Sequence, residues 1–310
     1  MVEQREAVTG PGPERPVRRH RPSRARLRAR RAVALTLLVA GLGLAGWLVT
    51  LAVGGVRDEP EPPPPVAVKP PTLTIIFPEG FTRREMADRI KAVNQIARNR
   101  RNIRPQLNAQ GYLKSTAASR IPGKFAEDGK RRPLEGFLFP ASYEFEPKTT
   151  SRQLINRQLE AFERNWGKVD LAYAKSRNLT PYDVLIIASL IEKEVSEPEE
   201  RALVSAVIYN RLRLGMKLGI DATIRYGLGV PATESLRESH LASLNPYNTR
   251  QHAGLPPTPI ANPGLASMQA AAHPAPANYL FFVRKPDKRH HFFTDDEDEF
   301  NRYLAQHGYG

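Results

Sequence analysis

Ala32 to Val53, AVALTLLVAGLGLAGWLVTLAV, is an unbroken run of 22 residues without a charge. At ~1.5 Å of rise per residue it would span roughly 33 Å as a helix, close to the ~30 Å hydrocarbon core of a bilayer. The run exceeds the apolar stretch of a cleavable leader, about 7 to 15 residues, and it lacks the polar face of a helix packed on one side only. A single transmembrane helix is expected over residues 32–56.

Charge sets its direction. Residues 1–31 carry ten Arg against Glu3, Glu6 and Glu14, half of the net charge of +14, whereas the other flank begins Arg57-Asp58-Glu59. Flanking Lys and Arg stay cytoplasmic, so the tail is expected inside and the bulk of the chain on the far side of the membrane. That topology accounts for the basic tail without nucleic acid, and no nucleic-acid partner is expected. The chain has no cysteine, which excludes disulfides and thiolate chemistry.

Residues 57–71, RDEPEPPPPVAVKPP, hold seven prolines in fifteen residues. They read as an extended spacer of up to about 45 Å, at ~3.1 Å per residue. Beyond it the pattern is α+β. A strand over Leu73 to Phe77 leads through Pro-Glu-Gly to a helix capped by Thr82, with Glu85 three residues on. Asn94 to Arg132 is basic and weakly periodic, and Leu134 to Pro147, LEGFLFPASYEFEP, reads as aromatic-rich extended structure. From Ser151 the chain becomes mainly helical. Thr180, Pro181 and Asp183 open one helix, and Ser196 with Glu199 opens another that stops at Gly215. YLFFV and HFF read as a C-terminal β-hairpin, followed by a last helix capped by Thr294 and Glu297. The organisation is a basic tail (1–31), a span (32–56), a linker (57–71), a connecting subdomain (72–150) and a larger domain (151–310).

The segment TPYDVLIIASLIEKEV poses the chemical question. Val184 to Ile191 is apolar all round apart from Ser189, which marks a buried helix, yet it ends in Glu192-Lys193-Glu194. At 100° per residue Glu194 stands over Ile187, Leu190 and Ile191, whereas Glu192 points to the opposite side. Partial burial would raise the Glu194 pKa and let it hold a proton near neutrality as a general acid. The competing reading is a helix that surfaces at its last turn, with Glu194 paired to a Lys or Arg.

Other candidates carry similar double readings. Asn210 falls inside the stripe Leu203, Val207, Leu214 of the following helix; it could orient a carboxylate or a sugar hydroxyl, or tie down backbone. Asp221 in GIDATIRYG reads as an N-cap over the Thr223 or Ile224 amide, or as a second acid. Tyr247, Asn248, Thr249 and Asn262 lie in LNPYNTRQHAGLPPTPIANPG, whose prolines make a stiff wall suited to stacking and bonding a sugar, or to plain packing. His290-His291 lacks partners at ligand spacing and reads as strand packing or exposed surface, so no metal site is expected.

Taken in order, FPEGFT, LEGFLFPASYEF, ASLIEKEVSEPEERALVSAVIYNRLRLGMKL, DATIRYGLG, PYNTRQHAGLPPTPIANPG and AAAHPAPANYLFFV resemble the endolytic murein transglycosylase (MltG, YceG-like) family from about Leu73 to Asn301. The resemblance implies that 72–150 is a reduced LysM-like subdomain and that 151–310 is a catalytic domain. It implies Glu194 as the catalytic acid and base, with Glu192, Asn210, Asp221, Thr223, Tyr247, Asn248 and Asn262 as candidate substrate contacts, and no cofactor. The implied reaction is non-hydrolytic cleavage of the MurNAc-β-1,4-GlcNAc bond within nascent peptidoglycan strands, leaving 1,6-anhydroMurNAc ends. The implied setting is a single-pass protein of the bacterial inner membrane, beside peptidoglycan synthases (penicillin-binding proteins). A two-carboxylate muramidase using Glu194 and Asp221, or a non-catalytic peptidoglycan scaffold, are the alternatives. The chain departs from the family pattern at Gly219 and Ala222, around the Asp-x-Thr, and at Phe300-Asn301.

Overall fold

In a computed structural model of the chain, the described residues are 35–48, 71–119, 121–125 and 131–309. They fall in two units, one within Met1–Ala67 and one within Val68–Gly310. In the first, helix α1 covers 35–48, inside the expected span. No described helix is long and apolar enough to cross a membrane. The basic tail, the ends of the apolar run and nearly all of the linker lie outside the described residues.

The second unit opens with β1 (Leu73–Ile76), α2 (Arg83–Arg101), α3 (Ala109–Ala117) and β2 (Ser142–Phe145). The two strands pair antiparallel, with Leu73 opposite Phe145. Helices α4 (Ser151–Trp166), α5 (Ala172–Ser176), α6 (Pro181–Glu194), α7 (Arg201–Arg213), α8 (Asp221–Leu228), α9 (Glu238–Leu241) and α10 (Leu265–Ala272) follow. The chain closes with the antiparallel hairpin β3 (Phe281–Arg284) and β4 (His291–Thr294), then α11 (Glu297–His307). The α+β class and the C-terminal hairpin stand as expected.

Capping chemistry sets several helix starts. Reciprocal capping boxes form at Thr82 with Glu85, Thr150 with Gln153 and Thr180 with Asp183. Three expected caps do not form. Ser196 is bypassed because Pro198–Glu200 makes a 3₁₀ turn ahead of α7. Asp296, not Thr294, caps α11 through the Glu299 N–H, while the Thr294 hydroxyl bonds the Glu299 carboxylate. Asp221 is the first residue of α8 rather than its cap, which is Ile220 without a side-chain bond.

Helix α6 is the axis of the core. Val184 to Ile191 are all buried, and α10 is its most extensive packing partner. The Ser189 hydroxyl donates to the Ile186 carbonyl (2.7 Å) and accepts from the Ile260 N–H (3.0 Å), pinning the Pro-rich segment to the helix. Segment 72–150 shares this core with 151–310: Phe125 and Phe137 pack with Phe162 and Trp166, ring centroids 5.0–5.7 Å apart. The expected inner stripe of α7 is corrected, since Val204 to Tyr209 are all buried and Leu214 is exposed.

Candidate active site

The three residues at the end of α6 have separate tasks. Glu192 Oε2 accepts the N–H of Gly264 (3.0 Å), the N-cap of α10, which has no side chain to cap with. It thereby fixes one core helix to the other. A Cβ on Gly264 would meet the end of the Glu79 side chain, which would have to move aside. Lys193 Nζ donates to the Gly80 carbonyl at 3.3 Å. With Glu192 and Lys193 anchored, Glu194 is held in the wall of a groove of about 1660 Å³.

The surroundings of Glu194 suit proton transfer. Burial pushes its carboxyl up to about 7, with the Asp221 charge adding to the rise. Arg284, the Ala222 N–H and Lys193 act in the opposite direction. Ala222 lies in the first turn of α8, whose unpaired N–H groups favour negative charge. The surface salt bridge considered for Glu194 does not form among the described residues; the Arg284 guanidinium donates instead to its backbone carbonyl, at 3.1 Å. A carboxyl near pKa 7 is populated in both protonation states at neutrality, as a group that gives and then takes a proton requires.

Of the other candidates, Asp221 and Tyr247 line the same groove. Asp221 is ion-paired to Arg250 Nε (2.6 Å), both half-exposed, and the Tyr247 hydroxyl is shared with Thr258 Oγ1 (2.8 Å). Thr223 is buried; its hydroxyl bonds the Ile220 carbonyl (2.6 Å) and Thr249 Oγ1 (3.0 Å). The Ile220 N–H in turn donates to Thr249 Oγ1 (3.0 Å), so these two threonines set the start of α8 that faces Glu194. Asn210 donates to the Ala277 and Tyr279 carbonyls (2.9 and 3.0 Å), and Asn248 to those of Leu241 and Ser243 (2.9 and 2.7 Å). Both tie down backbone.

Asn262 is a buried hub joining three segments. Its Oδ1 accepts the Gly136 and Leu138 N–H groups (2.9 and 3.0 Å), and its Nδ2 donates to the Phe81 carbonyl and Glu135 Oε1 (both 2.8 Å). Gly136, at φ +88°, must be glycine here, since a Cβ would lie 2.7 Å from Pro259.

That hub leads to a carboxylate the sequence reading passed over. Glu135 is buried, lines the groove and is pushed up to about 7 by burial. Its signal was a lone acid within the apolar run Leu134 to Phe139. Tyr226 and Arg284, also groove-lining, were not singled out either. His291 packs within β4 in the groove wall, its Nδ1 2.6 Å from Glu200 Oε2. Glu197, Glu199 and His290 are close enough to share an ion, but Glu197 already pairs with Arg289 and His290 with Asp287.

Residues 64–306 match the model of the YceG-like family. An endolytic murein transglycosylase of Streptococcus pneumoniae is 31% identical over 272 residues, covering 82% of this chain and 46% of the relative. One of Bacillus subtilis is 34% identical over 177 residues, 57% of this chain and 47% of the relative. This chain therefore spans about half the length of these relatives. A solved YceG-like protein of Listeria monocytogenes superposes with a TM-score of 0.59 at 28% identity, over 74% of this chain and 75% of that one. With the family's motifs folded around one groove and the match running through nearly all of the second unit, the chain belongs to the YceG-like family.

Proposed function

We propose that the chain is an endolytic lytic transglycosylase that cuts peptidoglycan glycan strands at the MurNAc-β-1,4-GlcNAc bond and so limits strand length. The observation that carries this reading is Glu194, a groove-lining carboxyl pushed to about 7 by burial, with the Ala222 N–H turned toward it. The names of the matching relatives support the same substrate.

Glu194 gives its proton to the glycosidic oxygen as the bond from that oxygen to MurNAc C1 breaks. The MurNAc 6-hydroxyl oxygen then bonds to C1, and its proton passes to Glu194, which returns to its starting state. Water is not consumed. Glycosidases that use water need a second carboxylate to activate it or to attack C1. Here the nucleophile is part of the substrate, with the high effective molarity of an intramolecular reaction. Asp221, committed to Arg250 and half-exposed, fits the role of tuning Glu194 better than that of a second acid.

The same proposal anchors the protein in the bacterial inner membrane through residues 32–56, its tail cytoplasmic and its second unit beside peptidoglycan synthases. The uncharged run and its Arg-rich flank support that topology.

Mass spectrometry of glycan strands incubated with the purified chain tests the reaction. Products ending in 1,6-anhydroMurNAc are expected, and none with Glu194→Gln. Ends that borohydride labels would mean a hydrolase, and strands bound but never cut would mean a scaffold.

A further inference from the structure

Among the described residues, Glu135 is a buried acid whose hydrogen bonds come from neutral donors. The Arg83 N–H (2.9 Å) and Asn262 Nδ2 (2.8 Å) share its Oε1, and the Tyr226 hydroxyl donates to its Oε2 (3.0 Å). The guanidinium of Arg83 favours the Glu135 charge through space but makes its own hydrogen bonds elsewhere, with Thr116 Oγ1 (3.0 Å) and the Leu113 carbonyl (3.1 Å). Stability alone does not call for a carboxylate in such a place, because burying a charge without an ion pair is costly.

Tyr226 lines the groove, as Arg83 does, but Arg83 reaches Glu135 through its backbone N–H, whereas Tyr226 does so through a side-chain hydroxyl. A phenol has one proton to donate and lone pairs to accept with. When its proton goes to a Glu135 carboxylate, Tyr226 Oη has only acceptor capacity left. A bond to an ionised partner also strengthens that oxygen as an acceptor. The ring itself is held by Tyr247, with centroids 5.1 Å apart and planes tilted 59°.

We propose that Glu135 is a positioning residue that fixes Tyr226 as an acceptor-only contact for an O–H or N–H group of the glycan, in the groove that holds Glu194. The groups that fit are a sugar hydroxyl or the acetamido N–H. This inference rests on the glycan-cleaving reading above. It also gives Glu135→Gln a definite chemical effect. Oε1 faces two donors, so the carbonyl of a glutamine must stay there, and its amide then points at Tyr226. The phenol would become the acceptor within the pair and turn its proton outward.

The test measures binding of purified, peptide-free glycan strands at pH 8 to the full chain carrying Glu194→Gln, alone or with Tyr226→Phe, Glu135→Gln or both. Cleavage kinetics are measured with Glu194 restored. Each substitution is expected to weaken binding about tenfold, and the pair no more than either alone, because the two residues act as one unit. KM should rise while kcat changes little. Unchanged binding by Tyr226→Phe, additive losses, or a fall in kcat alone would overturn the proposal. If Glu135→Gln does not fold, Tyr226→Phe, which removes one oxygen, decides alone. A parent chain that binds no strands sinks the glycan reading itself. Strands that bind without being cut, with binding weakened by Tyr226→Phe, sink cleavage but keep the contact.

Discussion

Glu194 and Glu135 line one groove and are both pushed to about 7 by burial, yet their hydrogen-bonding surroundings are opposite. Glu135 accepts from three protein donors that arrive from α2, α8 and the Pro-rich segment. Glu194 has the Ala222 N–H and the open groove. A shifted pKa therefore does not distinguish an acid that positions its neighbours from one that transfers protons. Unfilled bonding capacity facing a cavity does.

The comparison breaks most visibly at Glu194. Glu194→Gln should lower the cleavage rate about a thousandfold, ~4 kcal/mol in the barrier, while the fold persists; near-normal turnover of glycan strands would end its role. Next comes the hub behind Glu135. Asn262→Ala strands two buried N–H groups and removes a donor from Glu135, so chemical denaturation should show a loss of about 3 kcal/mol.

A smaller effect concerns pH. The unfolded chain ionises these glutamates near 4.5, whereas the folded chain keeps their protons to about 7. The unfolded state thus binds fewer protons in that window, and stability should decline from pH about 4.5 to 7 and level off above it. Glu194→Gln should then stabilise the fold at pH 8 by about 1–3 kcal/mol and hardly at all at pH 5. Equal effects at both pH values would contradict burial as the cause. Asp221→Asn is the mildest change. Its half-exposed ion pair is worth at most about 1 kcal/mol. Loss of its charge should lower the Glu194 pKa and move the alkaline limb of the pH–rate profile to lower pH.

The two acids also differ in how far the sequence reveals them. Glu194 is legible because its helix is local: a capping box fixes the start, eight buried residues fix the body, and helical angle separates it from Glu192. Glu135 depends on partners 52, 91 and 127 residues away, which no local period reports. Helix α10 escaped for a related reason. Five of its eight residues, Ser267, Met268 and Ala270 to Ala272, are buried, so no polar face marks its period. Asn210, Asn248, Asn262 and Thr223 read in the sequence as candidate substrate contacts, but the fold leaves all four buried or partly buried. Their partners proved to be backbone and neighbouring side chains, which only the fold supplies.

The central claim is that burial beside an open groove keeps Glu194 protonated near neutrality. Carbon-13 NMR titration of the glutamate carboxyls in the full chain tests it directly. The account predicts two resonances with midpoints near 7, one absent in Glu194→Gln and the other in Glu135→Gln. A Glu194 resonance that titrates near 4.5, the ordinary value for an exposed glutamate, would contradict it.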